Sequence, residues 1–197
     1  MGSSIAKKCA CLLAALIAFT ACAGAETDGL TPAFRAFRDA MPVTETVTER
    51  AGAHVITLEN GVLRIADADG AAVWRTDEAW YVTAFDTGDV NRDGVLDVAF
   101  VLWKSYRFGK AHPARMANDD EAVGCHLYVY AVKGGKAKAL WCSSTLPRGI
   151  YGMELRDDGV QTPVLSGVRL LTLEGADAES ALEYEYVWNG WGFGSAD

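Results

Sequence analysis

The chain has 197 residues, with 26 acidic and 18 basic side chains and a formal net charge of −8 when histidine is neutral. An acidic chain without a large cluster of lysine and arginine repels phosphate, so we expect no nucleic-acid partner. Half of the residues are hydrophobic, and the length is ample for one domain with its own core.

The first 25 residues are typical of a secretory signal peptide. Lys7 and Lys8 precede an apolar run over residues 9–19, and small residues follow it as far as Ala25. The run is shorter than the roughly 20 apolar residues that a transmembrane helix needs. We therefore predict export. Because Lys7 and Lys8 are the only charged residues of this segment, its removal would change the net charge from −8 to −10.

Two cleavage sites compete at the end of the signal peptide. Phe19-Thr-Ala-Cys22 resembles a lipobox, in which Cys22 becomes a lipidated N-terminus, whereas cleavage after Ala25 would release a soluble protein. Lipidation is favoured by the cysteine count, because Cys9 and Cys11 lie in the signal peptide and an anchored Cys22 leaves an even pair. We predict a cell-envelope lipoprotein that touches the membrane only through this lipid, with a secreted soluble protein as the alternative.

Residues 26–51 are predicted to form a short helix and a linker. Thr31 is a suitable N-cap, Pro32 is a suitable first helical residue, and a second proline ten residues later would end the helix. The hydrophobic face of this helix would carry Phe34, Phe37 and Met41. We interpret it as a packing helix that covers an open edge of a sheet.

The segment from residue 52 to residue 197 is predicted to be all-β, with an internal repeat. Residues 62–74, 128–141 and 187–193 each predict two strands around a tight turn. The central dipeptides of these turns are Asp-Gly, Gly-Gly and Asn-Gly, which supply the positive φ angles that tight hairpins demand.

The most informative stretch lies between the first two hairpins. Oxygen-bearing side chains occupy positions 1, 3, 5 and 9 of a loop that turns at Gly94. Calcium prefers several hard oxygen ligands in loose geometry, and a backbone carbonyl commonly adds another. The predicted Ca²⁺ ligands are Asp89, Asn91, Asp93 and Asp97 by side chain and Val95 by its carbonyl.

The flanking sequence separates this loop from an EF-hand. An EF-hand needs a Glu at position 12 and a helix after the loop, whereas position 12 is Phe100 and the loop leads into the β-type run Val98–Trp103. A second β-type run, Tyr81–Phe85, precedes it, so calcium would join two strands. A metal-free turn is the alternative, because Asp, Asn and Gly also dominate ordinary turns.

The segment from Gly88 to Ala99 resembles the FG-GAP or VCBS type of calcium-binding repeat, found in integrin-like β-propeller blades and in many secreted bacterial proteins. The resemblance implies a blade of antiparallel strands with a calcium loop between two of them. It does not imply one function, since such blades serve in adhesion, as accessory parts of enzymes and as scaffolds. We predict an all-β, antiparallel fold of β-propeller-like blades with a short N-terminal helix. The blades would form an incomplete propeller, a sandwich, or a ring completed by another chain.

A single calcium site is predicted. In the segment that follows the second hairpin, Asp157 and Asp158 are adjacent, so their side chains diverge, and no acid occupies the closing position after Gly159. The ligand pattern has therefore decayed in this second unit.

The irregular segment 104–124 is the other candidate for a binding element. Its first half is basic and aromatic and its second half is acidic, and a loop of this length in a compact domain is often functional. It would bind an anionic glycan, or it is a solvated insertion whose aromatic residues cover the core.

Cys125 and Cys142 flank the predicted hairpin at residues 128–141. Export permits a disulfide, but counting outward from the turn places the two cysteines about two positions out of register, so a bond would need a bulge. A disulfide and two separate thiols both remain open.

No catalytic constellation is present in the sequence. The three histidines, His54, His112 and His126, lack the spacing of a zinc helix, and no nucleophile elbow occurs. We predict that the protein is not an enzyme. The candidates for a sugar-stacking platform, or else for the core, are Trp103, Trp188 and Trp191.

These features together predict a non-catalytic, exported, calcium-stabilised binding or scaffolding module at the cell surface, with an unidentified protein or glycan as its partner. The aromatic segments around Trp103, Trp141 and Trp188 are also similar to secreted bacterial proteins that carry such repeats, some of them associated with poly-gamma-glutamate or capsule. The alternative is therefore an accessory factor or degenerate enzyme in the metabolism of such surface polymers.

Overall fold

The computed structural model describes residues 30–41, 45–105, 122–146, 149–150, 152–155, 168–169, 183–184 and 186–195. The predicted signal peptide with Cys22, most of the irregular segment and the decayed unit at 157–159 lie outside the described residues. Within the described part of the chain, no helix is long and apolar enough to cross a membrane.

The predicted N-terminal helix is confirmed. Helix α1 spans Pro32–Ala40 and has Thr31 as its N-cap, whose side-chain oxygen accepts a hydrogen bond from the Phe34 backbone N–H at 3.1 Å. Phe34 is fully buried beside Leu30 and Tyr81. The helix ends at Ala40, and its C-cap Met41 directly precedes the second proline.

The first sheet has four antiparallel strands in chain order. They are β1 (Val47–Ala51), β2 (His54–Glu59), β3 (Val62–Asp67) and β4 (Ala72–Arg75). The assignment of 26–51 to helix and linker was wrong for β1. Residues of this strand alternate between half-buried and exposed, and its polar sequence resembles that of a linker. It is a strand because it pairs with β2 along its whole length, at the edge of the sheet.

The second sheet is also antiparallel and in chain order. Its strands are β5 (Tyr81–Gly88), β6 (Leu96–Ser105), β7 (Val123–Lys133) and β8 (Lys136–Cys142). The strands predicted on both sides of the calcium loop are confirmed and extend further than expected. Strands β6 and β7 pair without interruption from Leu96 opposite Val132 to Ser105 opposite Val123, which fixes the face on which each of their side chains lies.

Four short strands complete the described structure. They are β9 (Val168–Arg169), β10 (Glu183–Tyr184), β11 (Tyr186–Trp188) and β12 (Phe193–Ser195). Strand β9 pairs with β10, and β11 pairs with β12. The three predicted hairpins are therefore observed as β3–β4, β7–β8 and β11–β12.

The two large sheets pack face to face around the main hydrophobic core. Ile56 and Leu63 of the first sheet and Phe100 and Leu102 of the second belong to this core and have no exposed surface. Trp74 of β4 crosses the interface and packs against the rings of Phe100 and Tyr130.

The opposite face of the second sheet, which we call the outer face, is covered by the two ends of the described chain. Ile150, Met153 and Leu155, together with the β11–β12 hairpin, share clusters with Val101 and Ala99 of β6. Helix α1 packs on the far end of this face, where Phe37 contacts the Trp103 ring at a centroid distance of 5.1 Å. The helix therefore covers a face of the sheet and not, as predicted, an edge.

The predicted all-β, antiparallel fold with a short helix is confirmed at this level. Among the described strands no sheet closes on itself.

Candidate metal centre

The predicted calcium loop is the connection between β5 and β6. The ladder of these two strands ends at the pair Gly88 and Asp97, so residues 89–95 connect the strands and Asp97 is the second residue of β6. Arg92 and Gly94 have φ angles of +57° and +78°. These left-handed residues turn the chain back on itself, which brings the first and last predicted ligands to the same end of the sheet.

Backbone amides define the shape of the loop. The Asp89 carboxylate accepts hydrogen bonds from the backbone N–H of Asp93 at 3.0 Å and of Gly94 at 2.8 Å. Asn91 accepts from the Asp93 N–H at 3.2 Å, and Asp93 accepts from the Val95 N–H at 2.9 Å. Each carboxylate has about four acceptor positions, so these bonds leave capacity for a further partner.

Asp97 differs from the other predicted ligands because it is fully buried. Its Oδ2 accepts a hydrogen bond from the Val90 backbone N–H at 2.9 Å, whereas its Oδ1 has no hydrogen-bond partner within the described residues. Burial raises the pKa of this carboxyl to about 6, and the negative charges of Asp93 and Asp89 raise it further, whereas the backbone N–H groups of Val90 and Asn91 act to lower it. An unsatisfied buried carboxylate oxygen is costly unless a cation or a donor reaches it.

The donor set fits calcium. Three carboxylates and one amide supply hard oxygens from one loop, which is the ligand type that Ca²⁺ selects. In the described ranges, no three His, Cys, Asp or Glu side chains already stand close enough together to hold a metal ion, so binding would require the side chains to converge. Asp89, Asn91 and Asp93 would suit a metal-free turn equally well, and such a turn uses Oδ2 of the buried Asp97 but leaves its Oδ1 without a partner in the described structure.

Sequence reasoning missed Val90, the apolar residue at position 2 of the loop. Its exposed fraction is 1%, and it shares a hydrophobic cluster with Ala99, Val129 and Trp188 on the outer face. The sequence contained a signal for this contact, because valine is most often a buried residue and here it stands between two polar residues of a turn. Val90 therefore joins the loop to the core by its side chain and to Asp97 by its backbone.

The C-terminal segment also contacts this end of the sheet. The Leu155 N–H donates a hydrogen bond to Asp86 Oδ2 at 2.8 Å. A Cβ atom on Gly88 would lie 3.4 Å from the Leu155 side chain, so Leu155 lies directly over the end of β5. The strand that enters the loop is thus held from the outer face.

The possible disulfide is not formed, and both cysteines are free thiols. Cys142 is opposite Tyr128, so it lies on the core side of the second sheet, whereas Cys125 lies on the outer face beside Leu127. Two cysteines whose side chains point to opposite faces of a sheet cannot be bridged without movement of the backbone. Burial raises the pKa of the Cys125 thiol to about 12, which removes it as a nucleophile.

The three tryptophans of the predicted platform do not share a surface. Trp188 is buried in the outer-face cluster, and Trp103 packs against helix α1. Trp191 has an exposed fraction of 76%. The interpretation as packed core residues therefore holds for Trp103 and Trp188, whereas Trp191 is exposed.

His126 is a packed residue of strand β7. It is buried, and its ring meets the Tyr128 ring edge-on at a centroid distance of 5.8 Å. Burial lowers the pKa of this histidine, and the nearby charge of Lys104 lowers it further.

Lys104, the first residue of the predicted irregular segment, belongs to strand β6. Its ammonium group lies 5.2 Å from the Tyr128 ring centroid and 5.9 Å from that of Trp80, which is within the range of cation–π attraction. Residues 106–121, which carry the split charge pattern, lie outside the described part of the chain.

Comparison with known protein families, curated proteins and solved structures finds no match to this chain.

Proposed function

We propose that Ca²⁺ binds the β5–β6 loop and that the protein is a non-catalytic binding or scaffolding module, exported to the cell surface and stabilised by this ion. The observation that carries the proposal is the buried Asp97 Oδ1, which has no hydrogen-bond partner in the described structure and lies at the base of a loop rich in further oxygen ligands. A buried carboxylate of this kind is stabilised most directly by a cation.

Each ligand would have a distinct role. Asp89, Asn91 and Asp93 would supply side-chain oxygens from the turn, Val95 would add its carbonyl, and Asp97 would hold the ion against the sheet. Calcium would supply positive charge that offsets both the burial of Asp97, which is the main cause of its raised pKa, and the repulsion from Asp93 and Asp89, which raises that pKa further. The loop itself positions two of these ligands, because backbone N–H groups of the turn orient the Asp89 and Asp93 carboxylates before any ion binds.

The arrangement of the sheets supports the blade-type interpretation. Two four-stranded antiparallel sheets, each in chain order, pack face to face, as neighbouring blades of a propeller do. The hairpins β3–β4 and β7–β8 form the last two strands of their respective sheets. An FG-GAP or VCBS type of repeat is therefore part of the proposal, with the propeller incomplete or replaced by a sandwich.

Export and anchoring complete the proposal. If Cys22 is lipidated, the eight residues to Leu30 span at most about 28 Å. Helix α1 packs near Tyr81 and Trp103, at the end of β5 and β6 opposite to the calcium loop. The loop would then lie on the side of the domain away from the membrane, where a protein or glycan partner can approach it.

The test is the melting temperature of the mature chain in excess calcium, in chelator, and with magnesium. A ligand bound only by the folded state at one hundred times its Kd stabilises that state by about 2.7 kcal/mol, so we expect a rise that magnesium does not reproduce. Asp93→Ala should abolish the difference between calcium and chelator.

A matched control is available in the turn of the β3–β4 hairpin. Asp67 accepts hydrogen bonds from the backbone N–H of Asp69 and Ala71 without any calcium pattern. Asp67→Ala should lower both melting temperatures equally. An identical melting temperature in calcium and chelator for the wild type would refute the site, and turnover of capsule-type polymer or poly-gamma-glutamate by the purified protein would favour the enzymatic alternative.

A further inference from the structure

Trp191 lies at the tip of the β11–β12 hairpin and is the one large hydrophobic residue that is exposed among the described residues. The turn beneath it is well defined. Asn189 Oδ1 accepts hydrogen bonds from the backbone N–H groups of Trp191 at 3.3 Å and Gly192 at 3.1 Å. The Asn189 N–H donates to the Gly192 carbonyl at 2.9 Å. The indole is therefore displayed by an ordered turn.

The base of this hairpin is packed on the outer face of the second sheet. Phe193 meets the rings of Trp188 and Trp141 edge-on, at centroid distances of 5.3 and 5.5 Å. A Cβ atom on Gly192 would lie 2.3 Å from Trp141 Nε1, so the hairpin backbone rests against the indole of β8.

The hairpin has little support of its own. Its two strands have three residues each and pair only with one another in the described structure. An isolated two-stranded hairpin is at best marginally stable in water. The position of Trp191 must therefore depend on the packing of the base, above all on the buried Trp188.

Trp188 shares its cluster with the calcium loop. Val90, at position 2 of the loop, is buried in the same cluster as Trp188, Ala99 and Val129. The Val90 N–H also donates to Asp97 Oδ2. Asp97 and Ala99 are two positions apart on the continuous strand β6, so both face the hairpin side of the sheet.

We propose that calcium in the β5–β6 loop orders the β11–β12 hairpin through Val90, so that Trp191 is presented in one orientation only when the ion is bound. This inference rests on the proposed calcium site. Without the ion, repulsion among Asp89, Asp93 and Asp97 loosens the loop, Val90 loses its fixed place, and the cluster under Trp188 opens. With the ion, the ligands hold Val90 in the cluster and the hairpin is clamped on the outer face.

The experiment is hydrogen exchange of the mature chain, followed on peptides that cover residues 186–195, in calcium and in chelator. Couplings between sites are typically 5- to 150-fold, so we expect calcium to slow exchange of these amides by about tenfold. Peptides covering β1 and β2 are the internal control, because these strands do not contact the outer face, and their exchange should change far less.

Two variants separate the coupling from calcium binding. Val90→Ala keeps every predicted ligand, so it should retain the calcium-dependent rise in melting temperature and lose the protection of residues 186–195. Trp191→Phe changes only the displayed ring and should retain both responses. The exchange of the wild-type chain in calcium and in chelator decides the inference by itself, and the two variants identify Val90 as the residue through which the coupling acts.

The outcomes distinguish the two proposals. A calcium-dependent melting temperature with unchanged exchange of the hairpin would overturn the coupling and leave the calcium site intact. Equal protection of the hairpin and of the β1–β2 control would also overturn it, because the ion would then stabilise the whole fold uniformly. No calcium effect on melting or on exchange would remove the calcium site and the coupling together.

Discussion

At the scale of single residues, Asp97 is the side chain whose environment most needs explaining. Its three companions lie in a loop where turn amides satisfy them, but Asp97 is buried with one oxygen that has no partner in the described structure. A buried carboxylate destabilises the metal-free fold and is available to stabilise the metal-bound one. In the proposed calcium site, Asp97 would therefore lower the stability of the metal-free protein and raise the stability of the metal-bound protein.

Asp97→Asn tests whether Asp97 lowers stability without calcium and raises it with calcium. The amide keeps the shape and can still accept the Val90 hydrogen bond, while the buried charge is removed. In chelator we expect the variant to be more stable than the wild type by about 1 to 3 kcal/mol, and in calcium we expect it to show no further stabilisation. Urea unfolding in both conditions measures the effect, and a variant that is less stable in chelator would contradict it.

At the scale of elements, the turn between β2 and β3 links the two sheets. Asn60 and Gly61 have φ angles of +47° and +77°, as a two-residue hairpin turn requires. The Gly61 carbonyl accepts a hydrogen bond from the Val82 N–H at 2.8 Å. A Cβ atom on Gly61 would lie 2.4 Å from the buried Tyr81 ring. This glycine therefore serves both the turn and the junction between sheets.

Gly61→Ala and Gly52→Ala separate these two roles. Both positions have positive φ, but a Cβ atom on Gly52 would meet nothing within 4 Å. We expect Gly52→Ala to cost about 1 kcal/mol for the backbone alone. Gly61→Ala should cost about 3 kcal/mol, because the buried Tyr81 ring cannot move aside freely. If denaturant unfolding shows that both variants lose the same free energy of unfolding, the contact with Tyr81 does not constrain the junction between the sheets.

The elements show clearly what local sequence can predict. The helix with its Thr31 cap, the hairpins and the strands around the calcium loop were predicted because caps, Asn-Gly and Gly-Gly turns and β-branched runs act over a few neighbouring residues. Strand β1 was missed, because its polar, alternating sequence becomes a strand only through the β2 edge beside it.

At the scale of the whole molecule, the second sheet is the middle layer between the first sheet and the two chain ends on the outer face. The two faces of this sheet therefore pack against different segments and carry different titratable side chains. His126, Lys104 and Cys142 lie on the core side of this layer, and Cys125 lies on the outer side. Burial lowers the pKa values of His126 and Lys104 and raises that of Cys142.

The lowered pKa of His126 predicts a loss of stability in mild acid. The folded state binds the imidazole proton less well than the unfolded chain, whose histidine has a pKa of about 6.5. The contribution of His126 to stability should therefore be unaffected above that pH and should fall as the pH is lowered through it, while the raised pKa of Asp97 contributes in the opposite direction in the wild type and the variant alike. His126→Gln, compared with the wild type between pH 8 and 5 in chelator, should have a shallower loss, and parallel curves would contradict the prediction.

The amino-acid sequence by itself determined the local features of this protein: the spacing of oxygen-bearing side chains from Asp89 to Asp97, the turns that demand positive φ, and the alternation that makes strands. These depend on sterics and hydrogen bonds within a few residues of each other. Only the tertiary structure decided which face of a strand is buried and by what. The separation of Cys125 from Cys142, the burial of Asp97 and the attachment of Val90 to the cluster beneath Trp188 all depend on register and layer packing between distant segments, which no local pattern specifies.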